Sequence, residues 1–192
     1  DYTRTRLGAG MPVSPEPMDL GSLCRAVFDE YRTAHPARVI RFHSRGDLRG
    51  EWDADRLRQA VSNLLGNAVQ HGDENAPIEL KLDGDAADEV VIVVHNGGSP
   101  IAPGELPRIF EPLVRGSSAQ YPKRNRPGSI GLGLYIAREV ARSHGGTIDA
   151  TSSPDASPVF TESSRPRMIS AMASLAFMIR FNRTCCSCTL SP

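Results

Sequence analysis

Apolar residues along the chain switch between two spacings. Behind Asp19, residues Leu20, Leu23, Val27 and Tyr31 recur at helical intervals, which predicts a helix running to about Ala34. Val39–His43 alternates and predicts a strand, with Leu48–Trp52 as its partner across the turn Arg45-Gly46-Asp47. Asp53 offers an N-cap for a long helix over 54–71. Leu57, Val61, Leu64, Leu65 and Ala68 form its buried stripe, and Gly72 stops it. Ile78–Leu82 and Val90–Val94 predict an antiparallel hairpin across an acidic, turn-rich loop. A short helix is expected at Glu105–Phe110 and a polar, basic loop over 116–129. A helix over Leu132–His144, stopped by Gly145-Gly146, and a strand over Thr147–Ser152 complete the series. Helices and strands mix without regular βαβ alternation. The expectation is an α+β fold: a two-layer sandwich of one mixed, mostly antiparallel sheet with helices on one face.

Both ends depart from this pattern. Residues 1–18 are polar and close with the proline-rich stretch Pro12–Pro17, which predicts a linker. Residues 154–192 mix Ser, Pro, Arg, Met and Cys without clear periodicity. Val159-Phe160-Thr161 is the one candidate there for a closing edge strand. The abrupt shift suggests a frameshifted or foreign tail, expected to be poorly ordered. Cys24 stands alone while Cys185, Cys186 and Cys188 crowd the end, which is neither a disulfide framework nor a zinc spacing. Lys+Arg and Asp+Glu number 22 each, so bulk charge does not favour a nucleic-acid partner. Ile169–Phe181 is the most apolar segment, but it is interrupted and falls short of the roughly 20 residues of a membrane helix.

Four segments carry candidate chemistry. In Asn63-Leu64-Leu65-Gly66-Asn67-Ala68, two amides stand at i and i+4 on one helix face. An amide oxygen is a neutral ligand for a hard cation such as Mg²⁺; alone, the pair fits a polar surface face better. The stretch Val94 to Ile101 (Val-His-Asn-Gly-Gly-Ser-Pro-Ile) follows a strand, and its glycines let backbone approach a ligand. Alone it equally fits an ordinary turn. Ile109-Phe110-Glu111-Pro112-Leu113 is an apolar hinge before a loop with Arg115, Lys123, Arg124 and Arg126. Such a loop can cover phosphates, or simply be solvated. Gly128-Ser129-Ile130-Gly131-Leu132-Gly133-Leu134 opens a helix, where backbone N–H groups can face an anion. It follows no strand and has no Lys-Ser/Thr, so it is neither a dinucleotide fingerprint nor a P-loop.

In this order the four segments resemble the N, G1, F and G2 boxes of the ATP-binding catalytic domain of sensor histidine kinases. That family shares the Bergerat fold with Hsp90, MutL and type II topoisomerases. The resemblance covers about residues 19–153; residues 1–10 resemble the end of a dimerisation and phosphotransfer helix. It implies ATP and Mg²⁺ as cofactors, with Asn67 holding the metal. Asn63 stands where ATP-hydrolysing relatives carry a water-activating glutamate, and an amide cannot be a general base. By the same resemblance Gly131 and Gly133 face phosphate, and Leu132 and Leu134 accompany them. Gly98 and Ile101 belong to the base end, Phe110 to the lid base and Arg115 to the lid. His71, one turn beyond Asn67, either touches phosphate or is merely exposed.

Asn96 stands in the place of the family's adenine-reading aspartate, and Pro100 in that of a G1 glycine. An asparagine keeps an acceptor and adds a donor but loses charge, so adenine selectivity with weaker affinity is expected. Ser129 also replaces a common glycine. The family's phosphoaccepting histidine precedes an acidic residue, and none of the five histidines here does. The resemblance therefore implies a cytoplasmic catalytic fragment. It would pass the ATP γ-phosphoryl to a histidine on a separate helical dimerisation domain, with a response regulator downstream. A nucleotide-binding regulatory module of the same fold without kinase activity is the alternative, and Asn63 argues against a pure ATPase.

Overall fold

Period-two alternation builds the central sheet. In the strand Ile78–Gly84, Ile78, Leu80 and Leu82 are buried while Glu79, Lys81 and Asp83 occupy the other face. The computed structural model describes residues 11–113, 131–153, 156–159, 167–170 and 174–183. In chain order the elements are β1 (Glu16–Asp19), α1 (Leu20–Ala34), β2 (Ile40–Gly46), β3 (Arg49–Trp52), α2 (Ala54–His71), β4 (Ile78–Gly84) and β5 (Glu89–Gly97). A short 3-10 helix (Leu106–Phe110), α3 (Gly133–Ser143), β6 (Thr147–Ser153), β7 (Ala156–Val159), β8 (Arg167–Ser170) and β9 (Ser174–Asn182) follow.

The main sheet has the order β2-β4-β5-β9-β6. The β2–β4 pair is parallel and the other pairs are antiparallel. Val90, Ile92 and Val94 of β5 and Phe177, Ile179 and Phe181 of β9 share one core with the apolar stripes of α1, α2 and α3. This is the expected α+β layering. Asp19 and Asp53 both act as the predicted N-caps, their carboxylates accepting backbone N–H groups of α1 and α2. Burial pushes the thiol of Cys24 up to about 12, so it stays protonated and behaves as a small apolar residue.

Three expectations are corrected. First, β3 does not pair with β2. It pairs antiparallel with β1, from Glu16↔Trp52 to Asp19↔Arg49, while β2 pairs with β4. Trp52 is the reason: its ring is fully buried against Phe181, and its indole N–H donates to the Asn182 carbonyl at 2.9 Å. Those contacts draw the strand away from β2. Second, the end of the expected linker is ordered, because Glu16 and Pro17 belong to β1. Proline is tolerated there because β1 is the edge of a two-stranded ribbon.

The third correction concerns the tail. Ser174–Asn182 is a nine-residue strand inside the sheet, between β5 and β6. Leu175, Phe177, Ile179 and Phe181 alternate into the core, an interior position rather than an edge. Val159 ends β7, which pairs with β8 in a separate ribbon. Phe160, Thr161 and the three clustered cysteines lie outside the described residues, as do residues 1–10.

Candidate functional site

Helix α2 carries the centre of the site. Its start is tied down by Asp53, whose carboxylate accepts the N–H of Ser14 at 2.9 Å and that of Arg56 at 3.1 Å. Burial works to raise the Asp53 carboxyl, but these two N–H donors outweigh it and hold it below its ordinary value. The backbone N–H of Asp53 donates to Nε2 of His144 at 3.0 Å. Ten residues further along, Asn63 meets the first residue of α3. A Cβ added at Gly133 would stand 3.6 Å from the Asn63 side chain. Asn63 Nδ2 is buried and has no hydrogen-bond partner among the described residues. Asn67, half-buried, follows one turn later.

The far end of α2 packs directly on the turn after β5. The N–H of Asp73 donates to the Gly97 carbonyl at 2.8 Å. Gly98 lies against Asp73 N and the His71 carbonyl. Asn96 closes the helix-side row of β5, only 2% exposed; its Nδ2 donates to the Gly97 carbonyl at 3.1 Å. Its Oδ1 is buried and unpartnered among the described residues. Gly72 is required here. A Cβ would come within 2.5 Å of the Ala68 carbonyl and 3.1 Å of both Arg38 Nη2 and Asn96 Nδ2. Arg38 donates through Nη1 to the Asp73 carbonyl at 2.7 Å, while its Nε and Nη2 are buried without partners among the described residues. His71 is exposed, and together with Gly72, Asp73, Gly98 and Ser99 it lines a cleft of about 350 Å³.

Helix α3 differs from α1 and α2 in having no side-chain cap. Its first N–H groups have no intrahelical acceptor, and the dipole leaves this end positive. Gly131 just before it sits at φ +71, a conformation that L side chains rarely adopt. The Gly131 carbonyl accepts the N–H of Leu113 at 3.2 Å. Leu113 itself is at φ 65 and 65% exposed, a left-handed backbone that strains a leucine, whereas Gly131 adopts its φ freely. Phe110 packs edge-on against Phe177 at 6.2 Å between ring centroids. The N–H of Ile101 donates to Ser152 Oγ at 2.8 Å. Leu134 is partly buried against the core, and Leu132 is the N-cap residue of α3.

The structure thus brings Asn63 to the start of α3, and Asn96 and Gly98 to the end of α2. Arg115, Lys123, Arg124, Arg126, Gly128, Ser129 and Ile130 lie outside the described residues. Sequence reasoning overlooked Arg38 and Gly72 as neighbours of Asn96. A lone arginine after His35-Pro36-Ala37 gives no signal of that contact. His144 registered only as the start of a helix stop.

The donor set fits a polyanion with a hard cation. There are two amides on α2, an uncapped helix start, and two orphaned buried amide atoms, Asn63 Nδ2 and Asn96 Oδ1, that an incoming group can satisfy.

A family profile described as "Histidine kinase-, DNA gyrase B-, and HSP90-like ATPase" matches residues 52–165, more than half of the chain. The chain is 36% identical to the bacteriophytochrome of Pseudomonas aeruginosa over 149 residues, 78% of this chain and 20% of that protein. It is 33% identical over 155 residues to the probable sensor histidine kinase TcrY of Mycobacterium tuberculosis, covering 78% of this chain and 31% of that one. Among solved structures, the catalytic domain of histidine kinase ThkA matches at a TM-score of 0.68 and 23% identity, covering 89% of this chain and 97% of that one. ThkA in complex with the response regulator protein TrrA matches at 0.65 and 23%, over 90% of this chain and 42% of that one. At such identities these structures speak for the fold. The chain spans 20% and 31% of the lengths of the two curated relatives.

Proposed function

The chain belongs to the histidine kinase-, DNA gyrase B- and HSP90-like ATPase family, and from that premise we propose that it is the ATP-binding catalytic domain of a two-component sensor histidine kinase. Its substrate is ATP with Mg²⁺. Its acceptor is a histidine on a helical dimerisation and phosphotransfer domain, its downstream partner a response regulator, and its location the cytoplasm.

The observation that carries this reading is the pair of orphaned polar atoms, Asn63 Nδ2 and Asn96 Oδ1, at the two places where α2 meets its glycine-bearing neighbours. In this reading Asn67 and Asn63 present neutral amides to the metal and the phosphates, and Mg²⁺ supplies charge neutralisation when bound. The open N–H groups of α3 bind the phosphate oxygens, held in place by the turn at Gly131. Asn96 Oδ1 accepts from the base, while Gly98 and Ile101 bound that end. Phe110, fixed on Phe177, anchors the segment that carries Arg115. With an amide at Asn63, no side chain there takes a proton from water, which favours transfer over hydrolysis.

The test mixes the chain with a separately made dimerisation and phosphotransfer domain and γ-labelled ATP. Label should appear on the acceptor histidine and be lost with Asn67→Ala. Tight nucleotide binding without transfer would replace this reading with a regulatory module. Steady phosphate release by the chain alone would replace it with an ATPase.

A further inference from the structure

His144 is fully buried, and its two ring nitrogens face opposite partners. Nδ1 lies 2.8 Å from the Val140 carbonyl, which only accepts, so Nδ1 carries the proton. Nε2 lies 3.0 Å from the backbone nitrogen of Asp53, which only donates, so Nε2 is bare. Both bonds exist together only in the neutral ring with its proton on Nδ1. The Phe181 ring of β9 holds the imidazole edge-on at 5.9 Å.

This ring joins two helices that both line the site. The end of α3 meets the start of α2 at His144 and Asp53, and the start of α3 meets Asn63 in the middle of α2 at Gly133. The helices therefore run antiparallel, side by side. Where α3 lies along α2 decides how far its uncapped start stands from Asn63 and Asn67. We propose that His144 is a positioning residue: it clasps α3 to α2 and so fixes the spacing between the open N-terminus of α3 and the two α2 amides. Its effect on the ligand rests on the nucleotide reading above; the clasp itself does not.

The clasp is sensitive to pH. A second proton at Nε2 sets a donor against the Asp53 N–H, and the bond is lost. The ring faces Asp53 from α2, the Val140 carbonyl of its own helix and the uncharged Phe181 from β9; Asp53 is the charged group acting on it. That carboxylate is already engaged by Ser14 and Arg56. Burial, against the opposing pull of Val140 and Asp53, keeps the ring below its ordinary value, and so neutral near pH 7.

The test compares the wild-type chain with His144→Gln, which is uncharged and keeps an acceptor for the Asp53 N–H, and His144→Phe, which keeps the bulk without one. Amide hydrogen exchange is measured without ligand, and affinity is measured for a non-hydrolysable ATP analogue with Mg²⁺. Both are followed from about pH 8 to about pH 5.5, across the ordinary histidine range. At the upper pH, wild type and His144→Gln should protect the Asp53 amide alike, and His144→Phe should lose protection and bind the analogue about tenfold more weakly while still folded. As pH falls, protection should drop in wild type and stay flat in His144→Gln, and affinity, which the analogue's own terminal phosphate lowers in both, should drop further in wild type than in His144→Gln. An Asp53 amide equally protected in His144→Phe overturns the clasp, as does His144→Gln following the wild-type pH curve of protection. If His144→Phe does not fold, the comparison of wild type with His144→Gln decides. Absence of analogue binding by wild type at the upper pH would instead defeat the nucleotide reading, and the exchange data would still judge the clasp.

Discussion

The two ends of α2 treat their polar atoms in opposite ways. At the start, both carboxylate oxygens and the backbone N–H of Asp53 have partners within the protein: Ser14, Arg56 and His144. From Asn63 onward some buried polar atoms have no partner among the described residues. Asn63 Nδ2, Asn96 Oδ1 and two nitrogens of Arg38 are buried with none among the described residues. An unpaired buried polar atom costs about 1–3 kcal/mol. Others stand elsewhere, on His95 and Arg138 among them, but among the described residues none belongs to Ser14, Asp53, Arg56 or His144 at the start of α2. One end of α2 is satisfied within the fold; at the other, the proposed nucleotide would supply the missing partners.

The contrast can be attacked in order of expected effect. Strand β9 runs beneath both ends, from Leu175 beside Asn96 to Asn182 beneath Trp52. Phe177→Ala should therefore cost about 3–5 kcal/mol in urea unfolding; a loss below about 1 kcal/mol would mean that β9 is not a core strand. Asn67→Ala should leave stability within about 0.5 kcal/mol but weaken Mg²⁺-dependent nucleotide binding roughly 100-fold by calorimetry, the scale of a lost contact to a charged group. Asp53→Ala should do the reverse, costing about 1–2 kcal/mol of stability through its lost cap while changing affinity less than about threefold, since the backbone N–H that meets His144 remains. Asn96→Ala should weaken ATP about tenfold and inorganic triphosphate little; equal loss for both would remove Asn96 from the base end.

The smallest effect is a pH dependence of stability. His144 and His95 are both held below the ordinary histidine value by burial. The unfolded chain takes up protons that these rings refuse in the fold, so stability is full above about pH 6.5 and falls as pH drops below it. Denaturant midpoints measured across that range should show the fall, and His144→Gln should flatten it in part.

The helices and their stops were legible because their signals are local. Asp19 and Asp53 each sit just before an apolar stripe, and Gly72 closes the second. Asn63, Asn96 and Gly98 stood out as well, since each sits in a short run of special residues; the basic loop singled out with them lies outside the described residues. What escaped was set by distance along the chain. The period-two pattern of Leu175, Phe177, Ile179 and Phe181 lies in a tail read as having no clear periodicity, because the unpatterned residues around it hid the strand. The expected β2–β3 hairpin gave way to the burial of Trp52, a contact with a residue 130 positions away. The meeting of Arg38, Gly72 and Asn96 arises from strand order and helix packing. No window of sequence contains it.

The position of β9 has a consequence for how this polypeptide comes into being. Strand β9, later in the sequence than both of its neighbours, is inserted between β5 and β6. Until the ribosome has released it, β5 lacks a neighbour on one side and β6 lacks the one strand it pairs with among the described residues, so both present unpaired backbone edges. A nascent or truncated chain ending before Ser174 therefore exposes adhesive borders, and the sheet cannot close until β9 has been made.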